Sequence, residues 1–277
     1  MASVPLIPLS SGTSIPQLGL GTWPMDDAEV ADAVVAAAEL GYRHIDTATR
    51  YGNEAGVGDG VRRSGIPREE FFVTTKLDGE FQGGDKAIGG LDAALDRMGF
   101  AYVDLLLIHW PLPGRGLFVD TWRTFERLFA DGRARAIGVS NFTSGQLERL
   151  LAETDVVPAV NQLQISPAIP REQQRRFDAE HGIVTQSWSP LGGAAGSLLH
   201  SPVLAAIGDK HGRSAAQVAL RWHVQNGLVV IPKSGDPARM AENLAIFDFA
   251  LDDDDLARIA TMSEGRSAGV DSERTGH

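Results

Sequence analysis

A repeated beat limits what this chain can fold into. Short apolar runs, each followed by a helical pattern, recur eight times between residues 18 and 247. The expected strands cover 18–22, 44–46, 71–76, 103–109, 134–140, 159–162, 183–187 and 228–231. The helices between and after them cover 28–40, 54–64, 85–98, 119–130, 144–152, 171–180, 215–225 and 237–247. Asp26 and Asp27 stand where the first helix should begin, and Gly41, Gly65, Gly99 and Gly132 where helices should stop. Strict alternation of strand and helix makes a parallel sheet. Eight units are the number that closes such a sheet into a (β/α)8 TIM barrel, for which about 250 residues is typical. With 277 residues and no linker rich in Pro, Gly and Ser, 1–277 is expected to form a single barrel domain. Two apolar pieces within 5–17, around Ser10, Ser11 and Gly12, predict a short N-terminal β-hairpin. A glycine-rich loop is expected after the seventh strand. The acidic run 252–255 reads as the solvated first turn of a helix, favoured by the helix dipole, and not as a metal site.

Three consecutive strands end in a polar residue: Asp46, Lys76 and His109, spaced 30 and 33 residues apart. That spacing matches one βαβ unit, so the three hold equivalent places in successive units. The carboxyl ends of barrel strands share one mouth, where chemistry is done. Tyr51 follows in the turn beyond Asp46. Near neutrality a phenol is a protonated acid that transfers its proton poorly, its ordinary pKa being about 10. An adjacent Lys76 ammonium is expected to lower that value, with Asp46 holding the ammonium in place and His109 reaching a substrate oxygen from a second side. Together they would form a protonating pocket for a carbonyl receiving a hydride. Taken singly, Asp46 could be a strand-end cap, Tyr51 a packed aromatic, Lys76 a surface residue and His109 a core histidine. Four matching chemistries on three successive strand ends are harder to explain as structure alone.

A hydride needs a donor. Gly19, Leu20 and Gly21 resemble the start of a dinucleotide fingerprint, but Pro24 occupies its third position, so the signal is weak. The run Ile231, Pro232, Lys233, Ser234 at the eighth strand end, followed by Arg239, Glu242 and Asn243, is more telling. Barrels often bind phosphate beside their last two strands at a helix N-terminus. The neighbouring loop Ser189, Pro190, Leu191, Gly192, Gly193 is placed to cover a pyrophosphate, and Trp188 offers a flat face to a nicotinamide.

Composition removes several classes. With 25 basic against 36 acidic residues the net charge is −11, which repels nucleic acid and anionic membranes. There is no cysteine, hence no disulfide, thiol nucleophile or Cys-rich metal site. No basic, then long apolar start opens the chain, so a cytoplasmic protein is the expectation, and a monomer.

Several stretches resemble the aldo-keto reductase family: residues 18–23, 41–48, 51–54, 75–77, 107–111, 137–141, 161–162 and 231–234. The likeness spans nearly the whole chain and runs toward the bacterial 2,5-diketo-D-gluconate reductase type, partly because Trp188 stands where many relatives have tyrosine. The resemblance implies reduction of aldehydes or ketones with NADPH, NADH serving less well. It implies Tyr51 as the acid, Lys76 and Asp46 as its tuning pair, and His109 orienting the carbonyl. It also implies Ser140, Asn141 and Gln162 on the carboxamide, Trp188 on the ring, and Lys233, Ser234 and Arg239 on the 2′-phosphate, with Asn243 near adenine. Gly21, Thr22, Asp46, Ser189, Leu191, Gly192 and Glu242 complete the expected cofactor contacts, and Trp23 and Trp110 line the substrate pocket. No metal is implied.

Two positions depart from the pattern. Asp78 stands where relatives of this type commonly carry a pocket tryptophan, which predicts a wider pocket, less open to anionic substrates. Asp236 stands where they carry a basic residue, and reads also as an N-cap with Pro237 at the first helical position. The tail after Arg266 and the loops around Asp78 and 112–117 are expected to shape the pocket. Two rivals remain: a Schiff-base aldolase barrel using Lys76, and a regulatory subunit that binds NADPH without turnover.

Overall fold

A computed structural model of the protein describes residues 4–193, 196–265 and 269–276. The chain opens with strands β1 (Leu6–Pro8) and β2 (Ser14–Pro16), paired antiparallel with Leu6 opposite Pro16. This is the predicted hairpin. Leu9 and Ile15 pack with Phe72, Leu105, Leu107, Val160 and Val229, so the hairpin plugs the end of the barrel opposite the mouth.

Eight parallel strands follow in chain order: β3 (Leu20–Gly21), β4 (His44–Asp46), β5 (Phe72–Leu77), β6 (Leu105–Ile108), β7 (Ile137–Ser140), β8 (Val160–Gln164), β9 (Val184–Trp188) and β10 (Val229–Val230). The sheet curls until its ends meet. Leu18 bridges Val230 and Gly21 bridges Lys233, both parallel, and Gly21 N–H donates to Pro232 O at 3.1 Å. This seam requires glycine, because a Cβ on Gly21 would lie 2.9 Å from Ile231 O.

Helices α1 (Asp27–Leu40), α2 (Glu54–Arg63), α3 (Gly84–Met98), α4 (Phe118–Ala130), α5 (Ser144–Glu153) and α6 (Glu172–Glu180) cross the outside between strands. Their apolar residues recur at three- and four-residue steps. In α4, Phe118, Trp122, Phe125 and Leu128 are all buried, which is the stripe a helix lays on a sheet. Asp26 caps α1 in a reciprocal capping box with Glu29, and Gly41 ends it in the left-handed region at φ 105°.

Three expectations need correction. The glycine-rich stretch after β9 also holds a helix, α7 (Pro202–His211), before α8 (Ala215–Gln225). Its signals were local: Ser201 as N-cap, Pro202 in the first turn, and Gly212 as the stop. Helix α9 (Pro237–Leu244) ends three residues short of 247, because the Gln217 side-chain amide takes the carbonyls of Glu242 and Ala245 in place of another turn. The acidic run does start a helix, α10 (Asp253–Ala260), with Asp252 as N-cap. It is not wholly solvated, however: Asp255 is buried and pairs with Lys210 at 2.9 Å and His211 at 2.7 Å on α7. Among the described residues no group of three or more His, Cys, Asp or Glu forms a metal site, and no helix is long and apolar enough to cross a membrane.

Candidate active site

Asp46 closes β4, Lys76 stands one residue from the end of β5, and His109 follows β6 directly. Tyr51 ends a 3₁₀ turn, Thr49–Tyr51, just beyond β4. The four meet at the mouth. Lys76 Nζ donates to Asp46 Oδ1 at 2.5 Å, to Thr47 O at 2.9 Å and to Tyr51 Oη at 3.3 Å. The Tyr51 and His109 rings meet edge to face, with centroids 5.8 Å apart. All four side chains except Tyr51 are buried, and Tyr51 is half-buried.

Burial lowers the Lys76 pKa, but the Asp46 carboxylate and the Tyr51 phenol oxygen outweigh it, and the ammonium ends above an ordinary lysine. An amine so held is a poor Schiff-base nucleophile, which weighs against the aldolase reading. Tyr51 corrects an expectation. Burial raises its pKa, Lys76 opposes that rise, and Asp46 adds to it, leaving the phenol above its usual value. Lys76 therefore offsets desolvation without reversing it. The consequence is a hydroxyl that keeps its proton throughout the neutral range.

What holds Tyr51 in place was not read from the chain. Asn53 Nδ2 donates to Thr22 O at 3.2 Å and Met25 O at 2.9 Å, and its Oδ1 accepts from Thr47 at 2.7 Å. Glu54, at the start of α2, accepts from Thr75 Oγ1 at 2.6 Å and from Arg97 Nε at 2.8 Å. Both residues are buried. Asn53 ties the tyrosine loop to the turn after β3, and Glu54 ties it to β5 one residue before Lys76. The available signal was a polar Asn-Glu pair opening a helix where apolar anchors would be ordinary.

The expected carboxamide residues gather beside His109. Asn141, left-handed at φ 65°, donates from Nδ2 to His109 O at 3.2 Å and Ser140 Oγ at 3.0 Å, and accepts from Trp188 Nε1 at 3.0 Å. Ser140 Oγ donates to Gln162 O at 3.0 Å, and Gln162 Nε2 to Asp46 Oδ2 at 2.7 Å. Thr22 Oγ1 donates to Asp46 O at 3.0 Å. Trp23 lies over Tyr51 with centroids 5.3 Å apart and is exposed, whereas Trp110 is buried and stacks near His109 at 6.3 Å.

The remaining expected cofactor residues line the seam. Lys233 bridges Gly21 through its backbone and leaves its side chain exposed. Ser234 is buried, and its hydroxyl bonds the carbonyl and N–H of Asp236. Asp236 caps α9 through Ala238 N–H at 2.8 Å, with Pro237 in the first turn, and also lies 3.7 Å from Arg239 Nε. Asn243 is buried, whereas Glu242 is held by the Ser214 hydroxyl. Ser189 and Gly192 are both left-handed, Gly192 N–H donating to Ser189 O at 3.1 Å, and Leu191 packs against the core.

The tail reaches the mouth, as the loops were expected to. Val270 N–H donates to Gln164 Oε1 at 2.8 Å, Glu273 accepts from Gln146 Nε2 at 2.7 Å, and Gly276 rests against Leu112 and Trp110. Residues 266–268 lie outside the described residues.

Comparison with known proteins follows the same outline. The family model described as "Aldo/keto reductase family" matches residues 12–264. An aldo-keto reductase of Mycolicibacterium smegmatis is 47% identical over 267 residues, covering 96% of each chain. Methylglyoxal reductase DkgA of Salmonella typhimurium is 42% identical over 276 residues, covering 100% of each. The solved structure of a Gox0644 mutant in complex with NADPH is 42% identical, with a TM-score of 0.94 over 100% of both chains. A strand-end acid, lysine, tyrosine and histidine around one barrel mouth, together with these likenesses, make the chain a member of the aldo/keto reductase family.

Proposed function

We propose that this protein reduces small aldehydes or ketones to alcohols with NADPH, and that Tyr51 delivers the proton. The observation that carries the reading is the Lys76 ammonium, bonded at once to Asp46 and to the Tyr51 hydroxyl. When bound, the dinucleotide supplies the hydride to the carbonyl carbon. As negative charge grows on the carbonyl oxygen, the Tyr51 O–H proton passes to it, because a nascent alkoxide is far more basic than a phenolate. Lys76 then stabilises the phenolate, and Asp46 keeps Lys76 charged. His109 hydrogen-bonds the same oxygen and fixes its position.

The donor set fits a nicotinamide dinucleotide. Gln162 has its amide oxygen without a hydrogen bond among the described residues, a ready acceptor for a carboxamide NH2. Trp188 is pinned through its indole N–H, so the ring face is held ready for stacking. The exposed ammonium of Lys233 and the guanidinium of Arg239 suit a 2′-phosphate. Asp236 pulls on one of the two, so we expect NADPH to be preferred by a smaller margin than where a third cation stands. Asp78 replaces a bulky pocket wall with a buried carboxylate, which suits neutral carbonyls over anionic ones.

The test is NADPH absorbance across a carbonyl panel that includes methylglyoxal. Tyr51→Phe should lower kcat by about 100- to 10,000-fold, the usual reach of general acid catalysis, with NADPH affinity unchanged. Undiminished turnover would sink the assignment. Tight NADPH binding with no oxidation by any carbonyl would favour a regulatory subunit.

A further inference from the structure

What His109 can do for a carbonyl depends on how many protons it carries. A neutral imidazole with its proton on Nδ1 offers Nε2 only as an acceptor, whereas an imidazolium donates from both nitrogens. His109 Nδ1 lies 4.0 Å from Asp78 Oδ1, and both side chains are buried. A carboxylate thus faces the nitrogen that is not needed at the substrate.

Asp78 is held in that place. Its backbone N–H donates to Thr49 Oγ1 at 3.2 Å, and Thr49 in turn donates to Lys76 O at 3.0 Å. The other charged and titratable groups around the imidazole are few among the described residues. Tyr51 stands edge-on and neutral, and Lys76 and Asp46 behind it form a close pair whose charges largely cancel at a distance. Arg50 lies 3.5 Å beyond Asp78 Oδ2 and is more than half exposed, so water screens it. Among the described residues, Asp78 is the charge that faces His109 Nδ1 at short range.

We propose that Asp78 is a positioning residue whose carboxylate keeps His109 doubly protonated, so that Nε2–H is donated to the substrate carbonyl oxygen beside the Tyr51 hydroxyl. The proposal rests on the reading that this mouth reduces carbonyls. It adds a second proton-bearing donor at the developing alkoxide, and it ties that donor to a residue outside the four strand-end groups. The sign follows directly. A facing carboxylate favours the charged imidazole, so kcat/KM for reduction should hold through neutral pH and fall as pH rises through the His109 midpoint. Removing the carboxylate should bring that fall to lower pH.

The test pairs a readout that needs no turnover with one that does. Ring-15N NMR titration of His109, assigned by its loss in His109→Gln, gives the midpoint in the intact protein. The pH profile of kcat/KM with NADPH and methylglyoxal gives the kinetic limb. In Asp78→Asn both midpoints should fall by about one pH unit, the lower end of what an opposite charge at this range produces. Asp78→Glu should restore them. Asp78→Ser, which removes the charge with a smaller polar side chain, should lower the NMR midpoint likewise and serves where Asp78→Asn does not fold. An unchanged His109 midpoint in Asp78→Asn, or in Asp78→Ser where the first does not fold, overturns the proposal. A wild-type protein that oxidises no NADPH at any pH would instead defeat the carbonyl-reduction reading, while the NMR comparison would still judge the Asp78–His109 pair.

Discussion

The proposed catalytic corner and the turn from β10 into α9 are built in opposite ways. In the corner, Lys76 and Asp46 are 1% and 2% exposed and are joined at 2.5 Å, with Gln162, Thr47 and Tyr51 taking further bonds. At the turn, Arg239 is 77% exposed, Asp236 is 50% exposed, and they sit 3.7 Å apart. On the proposed reading, the difference separates two jobs. Charge that must stabilise a transient alkoxide has to be in place beforehand, in a dry setting where it acts strongly. Charge that only recognises a phosphate can wait in water and be ordered by the ligand.

If that contrast is right, mutations in the corner should be severe and those at the turn mild. Asp46→Asn leaves a buried ammonium short of its counter-charge, so it should lower kcat at least about a hundredfold and stability by about 3 kcal/mol. Steady-state kinetics and urea unfolding measure both; a near-normal kcat would mean that Lys76 does not need its partner. Asp236→Asn keeps an N-cap but removes the charge, and should raise the NADPH to NADH ratio of kcat/KM by about fivefold, equivalent to roughly 1 kcal/mol at an exposed site. No change in the ratio would show that Asp236 is only a cap. Asp236→Arg should raise the ratio further, and loss of the cap should appear separately as reduced stability of about 1 kcal/mol.

A third cluster lies between these extremes. Burial raises the pKa of Asp255, but hydrogen bonds from His211, Lys210 and Asp252 outweigh it and bring the carboxyl down to about 2. A depressed acid contributes stability above its unfolded pKa and loses it as pH falls toward the folded value. Asp255→Asn should therefore cost about 1 kcal/mol at pH 7 after solvent screening, and the gap to wild type should close between about pH 4 and pH 2. Denaturant midpoints over that range check it; a gap that persists at pH 2 would point to packing instead of charge.

The catalytic corner was legible because its members repeat with the βαβ unit. Asp46 and Lys76 lie 30 residues apart on neighbouring parallel strands; Asp46 pairs with Thr74, and Lys76, two residues on and so on the same face, reaches it. Gln162 bonds the same carboxylate from 116 residues away. The likeness pointed to Gln162 only as a carboxamide residue; its bond to Asp46 is reported by no local pattern. Asn53 and Glu54 were visible as residues, but not as the struts of the tyrosine loop.

Elements set by contacts three or four residues apart were determined by the sequence alone. The capping boxes, the glycine stops, the strand-helix beat and the Asp236 cap all follow from backbone groups that must be satisfied nearby. The tertiary structure decided what depends on burial and on partners far along the chain. It made Tyr51 a weaker acid than free phenol although a lysine touches it, because the desolvation of a phenolate exceeds the attraction of one ammonium that Asp46 already engages. It also drew Asp255 inward onto α7, because Lys210 from another helix pairs with, and His211 hydrogen-bonds, a carboxylate that the sequence alone leaves in water.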